Sequence, residues 1–221
     1  MTIVGMAGSM AGSMAGRMSG SMAGGPTFAT VPGMLGYYTP ETVEAAQWTD
    51  TSPHARHLTT VLGTPSYNVG VSVAFAAAGI GNDTDSIGDL FDNKELLWIA
   101  DWAGPNFMAG SEGGAASRLN LRAPFSSSYK TFGNLVAAAT SGVLAFAHDG
   151  TNFFARQDGV ELDSTAIALT GGLHTTLGPR LGTTDGGTAT CTVMRFAIFD
   201  ASSWGVNFTA YMELIEAEFG V

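Results

Sequence analysis

The chain has 221 residues, of which 45% are hydrophobic and only 13% charged, with a net charge of −10. That is length enough for one domain with a real core, and too apolar for general disorder. With 9 Lys and Arg against 19 Asp and Glu it lacks the clustered cations that phosphate binding requires, so no nucleic-acid partner is expected, and its single cysteine, Cys191, cannot form a disulfide within the chain.

The averages hide two unlike parts. Residues 1–40 contain one charged side chain, Arg17, and no acid, so all the acidic residues lie beyond. Methionine is skewed the other way, with Met1, Met6, Met10, Met14, Met18, Met22 and Met34 near the N-terminus. From Gly5 the chain reads GMAGSMAGSMAGRMSGSMAGG, a tetrapeptide repeat. Met6, Met10, Met14, Met18 and Met22 alternate with Gly8, Gly12, Gly16, Gly20 and Gly24.

Three conformations compete for this repeat. A helix would stack the glycines as a close-packing ladder, at roughly 1 kcal/mol for each interior glycine. A strand would put Met and Gly on one face and mostly Ala and Ser on the other. A flexible linker is the third reading, and the extended form is the one expected. A lone glycine-rich arm cannot offset its own ordering entropy of roughly 1–2 kcal/mol per residue. An ordered arm must therefore pack against copies of itself or a larger assembly, and methionine, unbranched and adaptable, suits that packing. The repeat lacks the basic start and solid apolar stretch of a secretory signal, and Arg17 with its small polar neighbours spoils a membrane span. Residues 1–36 are thus read as an assembly arm and residues 37–221 as a folded domain.

Beyond the arm, short apolar runs alternate with turn signals. Strands are expected at residues 69–78 (VGVSVAFAAA) and 95–100 (ELLWIA), the latter closed by a loop, Asp101-Trp102-Ala103-Gly104-Pro105-Asn106. Further strands are expected at residues 142–147, 153–157, 160–162, 180–182 and 192–199. The Asp-Gly pairs at 149–150 and 158–159 are hairpin signals, because type I′ turns require positive φ. Residues 207–219 change period: Phe208, Tyr211, Met212, Ile215 and Phe219 recur at helical intervals, with Gly220 as a C-terminal stop. The expected fold is all-β, a sandwich of jelly-roll type, with a short amphipathic helix plugging one edge or end.

Three segments resemble the concanavalin A-like, laminin-G-type jelly-roll domains found in phage structural and bacterial surface proteins. The first runs from Trp48 through Asp50, Ser52, Arg56 and His57 to Leu58; the second is LAFAHDGTNFFARQDGVEL, residues 144–162. The third joins Arg180-Leu181-Gly182 and MRFAIFD to the terminal helix ending Glu218-Phe219-Gly220. Together they span about 37–221. The resemblance implies the fold first and function only weakly. Such domains often bind glycans, and many are structural modules on virions or cell surfaces. Some relatives hydrolyse glucans with an E-x-D-x-x-E strand. That strand is absent here: Glu161-Leu162-Asp163 is followed by Ser-Thr-Ala, without the second carboxylate that retaining hydrolysis needs.

The other chemical candidates have simpler structural explanations. His54 and His57 lack the partners of a metal site. Asn82-Asp83-Thr84-Asp85 lacks the glycine and terminal glutamate of a calcium loop. Cys191 reads as an inert core residue. No phosphate-binding loop and no G-x-S-x-G elbow occurs in the chain. The sugar-binding candidates are Asp101, Trp102 and Asn106, a ring beside polar groups, but the reading that Trp98 and Trp102 are core residues is the favoured one.

The expectation is therefore a non-enzymatic protein, without cofactor or metal, displayed on a virion or other surface. A head fibre, decoration protein or tail appendage fits, anchored and oligomerised through its arm. The alternative is a carbohydrate-binding adhesin at the cell surface or outside the cell. A glycan hydrolase ranks third.

Overall fold

The structure is a computed structural model, and it describes residues 26–82, 95–112, 120–123, 140–166, 177–184 and 187–221. The repeat residues from Met6 to Gly24 and the segment 83–85 lie outside the described residues. In chain order the strands are β1 (Met34–Tyr38), β2 (Gln47–Trp48), β3 (Leu58–Leu62), β4 (Ser66–Asn68) and β5 (Ser72–Gly81). There follow β6 (Leu96–Glu112), β7 (Asn120–Ala123), β8 (Ser141–His148), β9 (Asn152–Gln157) and β10 (Val160–Ala166). Then come β11 (Leu177–Leu181), β12 (Thr183–Thr184), β13 (Gly187–Asp200) and one helix, α1 (Phe208–Phe219). The described strand pairings are antiparallel.

Two long strands belong to both layers of the architecture. The first part of β6 pairs with β8 and β13, and its last residues pair with β7 and β11. Likewise β5 pairs first with β4 and β13, then with β3 and β11. Each strand changes layer at a bulge. In β5 the extra residue is Ala77, at φ 51, where the register with β13 slips. In β6 the slip falls at Gly104-Pro105. Gly104 has φ 145, and a Cβ there would lie 2.7 Å from the Thr190 carbonyl oxygen, while Pro105 has no N–H to contribute to a ladder. The Gly-Pro pair thus bends one strand instead of ending it, and the loop expected at 101–106 is part of β6.

The layers enclose an aromatic core. Trp98, Trp102, Phe107, Phe146, Phe153 and Phe196 meet Trp48, Leu58, Ile80 and Leu181 there. Full burial of each large apolar side chain contributes about 1.5–3 kcal/mol. A second core lies on the other face of the β6–β8–β13 layer. Leu97, Ile99, Ala145, Ala147, Ala197 and Phe199 are covered by Trp204 and by Phe208, Met212, Ile215 and Phe219 of α1. The helix therefore lies on a sheet face, not at an edge or end. Its stop is as expected: Gly220 adopts φ 97 and caps the last turn.

Both Asp-Gly pairs form hairpin turns. Asp158 and Gly159 have φ 50 and 75, the type I′ signature, between Gln157 and Val160. Residues 69–71 form a turn, not the start of a strand, with Val69 and Val71 exposed around Gly70 at φ 72.

Residues assigned by composition to the arm already pack with the domain. Phe28 lies 4.9 Å from Tyr37 and 6.1 Å from Phe199, ring to ring. Val31 is buried, the Pro32 carbonyl accepts the Trp204 indole N–H at 2.9 Å, and β1 pairs with β13. Among the described residues, packing with the domain is already in place at Phe28, before the composition boundary at residue 37.

Candidate functional site

The residues proposed for sugar contact do not form one surface. The Trp102 side chain is 0% exposed, with its ring 5.6 Å from Phe107 inside the sandwich. It therefore offers no face to a ligand, and the core reading holds for it as for Trp98. Asp101 and Asn106 are separated by the bulge. Asn106 is exposed, and its Oδ1 accepts the Thr190 backbone N–H. Asp101 is half-buried opposite Arg195 of β13, and burial raises its carboxyl above the usual range, with Arg195 opposing and Asp158 adding to the rise.

The Trp48–Leu58 motif is a buried polar knot. Asp50 is 4% exposed and accepts four hydrogen bonds. Its Oδ1 accepts from the N–H groups of Tyr37 and Ser52, and its Oδ2 from the Ser52 hydroxyl and the Arg56 N–H. Arg56 donates from Nη1 to the Leu35 carbonyl at 3.0 Å, and its own carbonyl accepts the Tyr38 hydroxyl at 2.6 Å. His57 accepts the Asp50 N–H through Nδ1. These residues fold a loop onto β1, which accounts for Asp, Ser, Arg and His at that spacing. Among the described residues, no group of three or more His, Cys, Asp or Glu could hold a metal ion. Cys191 is buried, and burial pushes its thiol up to about 12, against reactivity at neutral pH.

A different place has the geometry of a ligand site. A groove of about 340 Å³ opens between the β9–β10 hairpin and the start of α1, on the helix-bearing side of the sandwich. Phe154, Val206, Phe208 and Met212 give it an apolar lining, and Asp149, Arg156 and Glu161 give it charge. Each polar group is held differently. The Arg156 Nε and Nη2 donate to the two oxygens of Glu216 at 2.8 and 3.0 Å, and Nη2 also donates to the Gly159 carbonyl at 2.6 Å. Glu216 is 4% exposed, so the guanidinium is clamped from behind by a buried carboxylate. Its Nη1 has no partner among the described residues. Burial would raise the Asp149 carboxyl, but hydrogen bonds from Asn152 and Thr151 outweigh it and hold it below the ordinary value. Glu161 is exposed.

Sequence reading missed this groove. Its parts come from residues 149–161 and 205–212, and only the helical period of α1 hinted that a polar residue at 216 would face inward.

No protein-family model matches the chain, and comparison with curated proteins gives no match. Solved structures are similar in fold. Domain 4 of AbnA, a GH43 extracellular arabinanase from Geobacillus stearothermophilus in complex with arabinotriose, aligns with TM-score 0.58 and 13% identity over 82% of this chain and 98% of that one. A Trypanosoma rangeli sialidase in complex with sialic acid aligns with TM-score 0.53 and 10% identity, over 85% of this chain but 33% of that one. The receptor binding domain of a botulinum neurotoxin C/D mosaic serotype aligns with TM-score 0.50 and 10% identity, over 83% of this chain and 51% of that one. The chain thus spans nearly all of the arabinanase domain but only a third and a half of the other two. At these identities the likeness is one of fold. The class is an antiparallel all-β sandwich with a helix laid on one outer face.

Proposed function

We propose that the chain is a non-enzymatic display module: a sandwich of the concanavalin A-like jelly-roll type carried on an N-terminal assembly arm. The arm joins copies of the chain to one another and to further proteins of a virion or comparable surface assembly, and the acidic domain faces solvent. A head fibre, decoration protein or tail appendage is the role that fits. The observation that carries this reading is the division of the chain. Among the described residues, both hydrophobic cores are built from Phe28 onward, and the repeat lies before them in the chain. Its regular Met and Gly are then best explained by packing outside the domain. The net negative charge suits a soluble, outward-facing part.

Sedimentation of the full chain beside a chain lacking residues 1–25 tests the proposal. The truncated chain should be a folded monomer and the full chain an oligomer. A truncated chain that assembles like the full one would remove the arm's role.

A second reading, a carbohydrate-binding adhesin, is favoured by the amphipathic groove. It is also supported by the fold shared with an arabinanase domain that was solved with a trisaccharide. Display and binding are compatible. Hydrolysis is not proposed, because the sequence lacks the paired-carboxylate strand.

A further inference from the structure

We infer that the groove between the β9–β10 hairpin and the start of α1 is a binding site for a neutral saccharide, a proposal that rests on the carbohydrate-binding reading and gives it a location. Four features argue for this ligand class.

The first is preorganisation. Arg156 donates from Nε and Nη2 to a carboxylate that is almost wholly buried, so its remaining Nη1 edge is fixed without any ordering by the ligand. A donor already in place loses little entropy on binding. The second is the balance of donors and acceptors. Asp149 is anchored by the Thr151 and Asn152 N–H groups and Glu161 is exposed. Two acceptor carboxylates thus line the same groove as one donor edge. A polyol, whose hydroxyls both donate and accept, satisfies all three groups at once.

The third is charge. Glu216 neutralises Arg156, which leaves Asp149 and Glu161 to set the sign of the groove. An anionic ligand such as a phosphate or a sialic acid meets two carboxylates and no unpaired cation. The fourth is the apolar lining. Phe154 is half-buried and Val206 fully exposed, beside Phe208 and Met212. An aromatic ring and methyl groups next to fixed polar atoms suit a sugar ring, which has C–H faces and a hydroxyl rim. The volume of about 340 Å³ lies at the small end of the range for small-molecule sites, about 300–1,000 Å³, so the occupant is a short oligosaccharide or a chain end.

Titration calorimetry on the full chain tests the proposal with arabinotriose, maltotriose and cellotriose as neutral probes and sialic acid as the anionic one. At least one neutral probe should bind and sialic acid should not. Two variants at exposed positions leave the folded core intact: Glu161→Lys removes an acceptor, and Thr209→Trp fills the groove from the helix side. Each should weaken the bound probe roughly tenfold or more, the scale of losing one hydrogen bond to a charged group, with an unchanged circular dichroism spectrum. If a neutral probe binds equally well to both variants, the groove is the wrong site and the carbohydrate-binding reading survives. If no neutral probe binds the full chain, both fall together. Preferential binding of sialic acid would overturn the charge argument and with it the ligand class.

Discussion

Arg156 of β9 and Glu216 of α1, sixty residues apart, form a two-pronged ion pair that fastens the helix to the outer face of the sheet, with Nε–Oε1 at 2.8 Å and Nη2–Oε2 at 3.0 Å. Glu216 is the one charged residue of the helix among those buried against the sheet. Removing a single partner leaves the other charge buried and unpaired. Glu216→Leu and Arg156→Met should therefore each cost about 3 kcal/mol. The double variant Arg156→Met with Glu216→Leu should recover most of that loss, because apolar groups of similar volume replace the pair without stranding a charge. Urea unfolding of the four proteins checks this; losses that simply add would deny the coupling.

Asp50 predicts a second kind of instability. Its carboxylate satisfies three backbone N–H groups and one hydroxyl in a buried loop. Asp50→Ala strands the three N–H groups, while the Ser52 hydroxyl can turn to the Leu35 carbonyl, and at about 1 kcal/mol or more for each unsatisfied group the loss should reach at least about 3 kcal/mol. The damage should centre on β1. Amide hydrogen exchange should show faster exchange at Tyr37 and Arg56 than in α1, where the same variant changes no contact.

The Asp101 carboxyl gives a pH signature. Burial is the largest cause of its raised pKa, and Arg195 only partly offsets it. An acid whose folded pKa lies above its unfolded value favours the folded state while protonated. That contribution is full below the unfolded pKa and is lost as pH rises through the folded one. At pH 7 the ionised Asp101 thus costs stability. Asp101→Asn should melt higher than the parent at pH 7, and the gap should close as the pH falls below the ordinary aspartate value, about 3.9. A lower melting temperature for the variant at pH 7 would mean that its pairing with Arg195 outweighs burial.

Some of this architecture is legible in the sequence because it is written locally. The Asp158-Gly159 turn depends on two adjacent residues at positive φ. The helix depends on a 3.6-residue period and a glycine stop, and both signals are contained within it. The layer changes are harder to read, because Gly104-Pro105 in a bulge looks the same as Gly-Pro in a loop. Ala77 at positive φ carries no sequence mark at all. The position of α1 had a signal that edge-plugging overlooked. ELLWIA and GVLAFA are continuous apolar runs, not alternating ones, and a strand apolar on both sides must be covered on both sides. Leu97, Ile99, Ala145 and Ala147 are that second face. The same ambiguity left Trp102 with two readings, core and ligand contact, and its full burial decides for the core. The groove was out of reach, since it exists only once residue 156 meets residue 216.

Gly33 sits where the chain turns into β1. It adopts φ 84, and a side chain there would overlap the carbonyl of Asp200, whose N–H bonds the Gly33 carbonyl at 2.8 Å. Gly33→Ala adds both strain and a clash at this junction, each on the order of 1–3 kcal/mol. It should loosen the packing of Phe28 on Tyr37 and Phe199 before the sandwich itself unfolds. Limited proteolysis should then cut near residues 26–33 in the variant and spare the parent at the same protease concentration.

The most direct test of the central claim, that the repeat arm assembles a domain complete without it, is cross-linking of the full chain with photo-methionine in place of methionine. The account predicts cross-links from Met6, Met10, Met14, Met18 and Met22 to the same segment of other chains, with Met108 and Met212, buried in the domain, linking only within their own chain. Arm methionines that link only to the domain of their own chain, in a protein that still sediments as an oligomer, would contradict it.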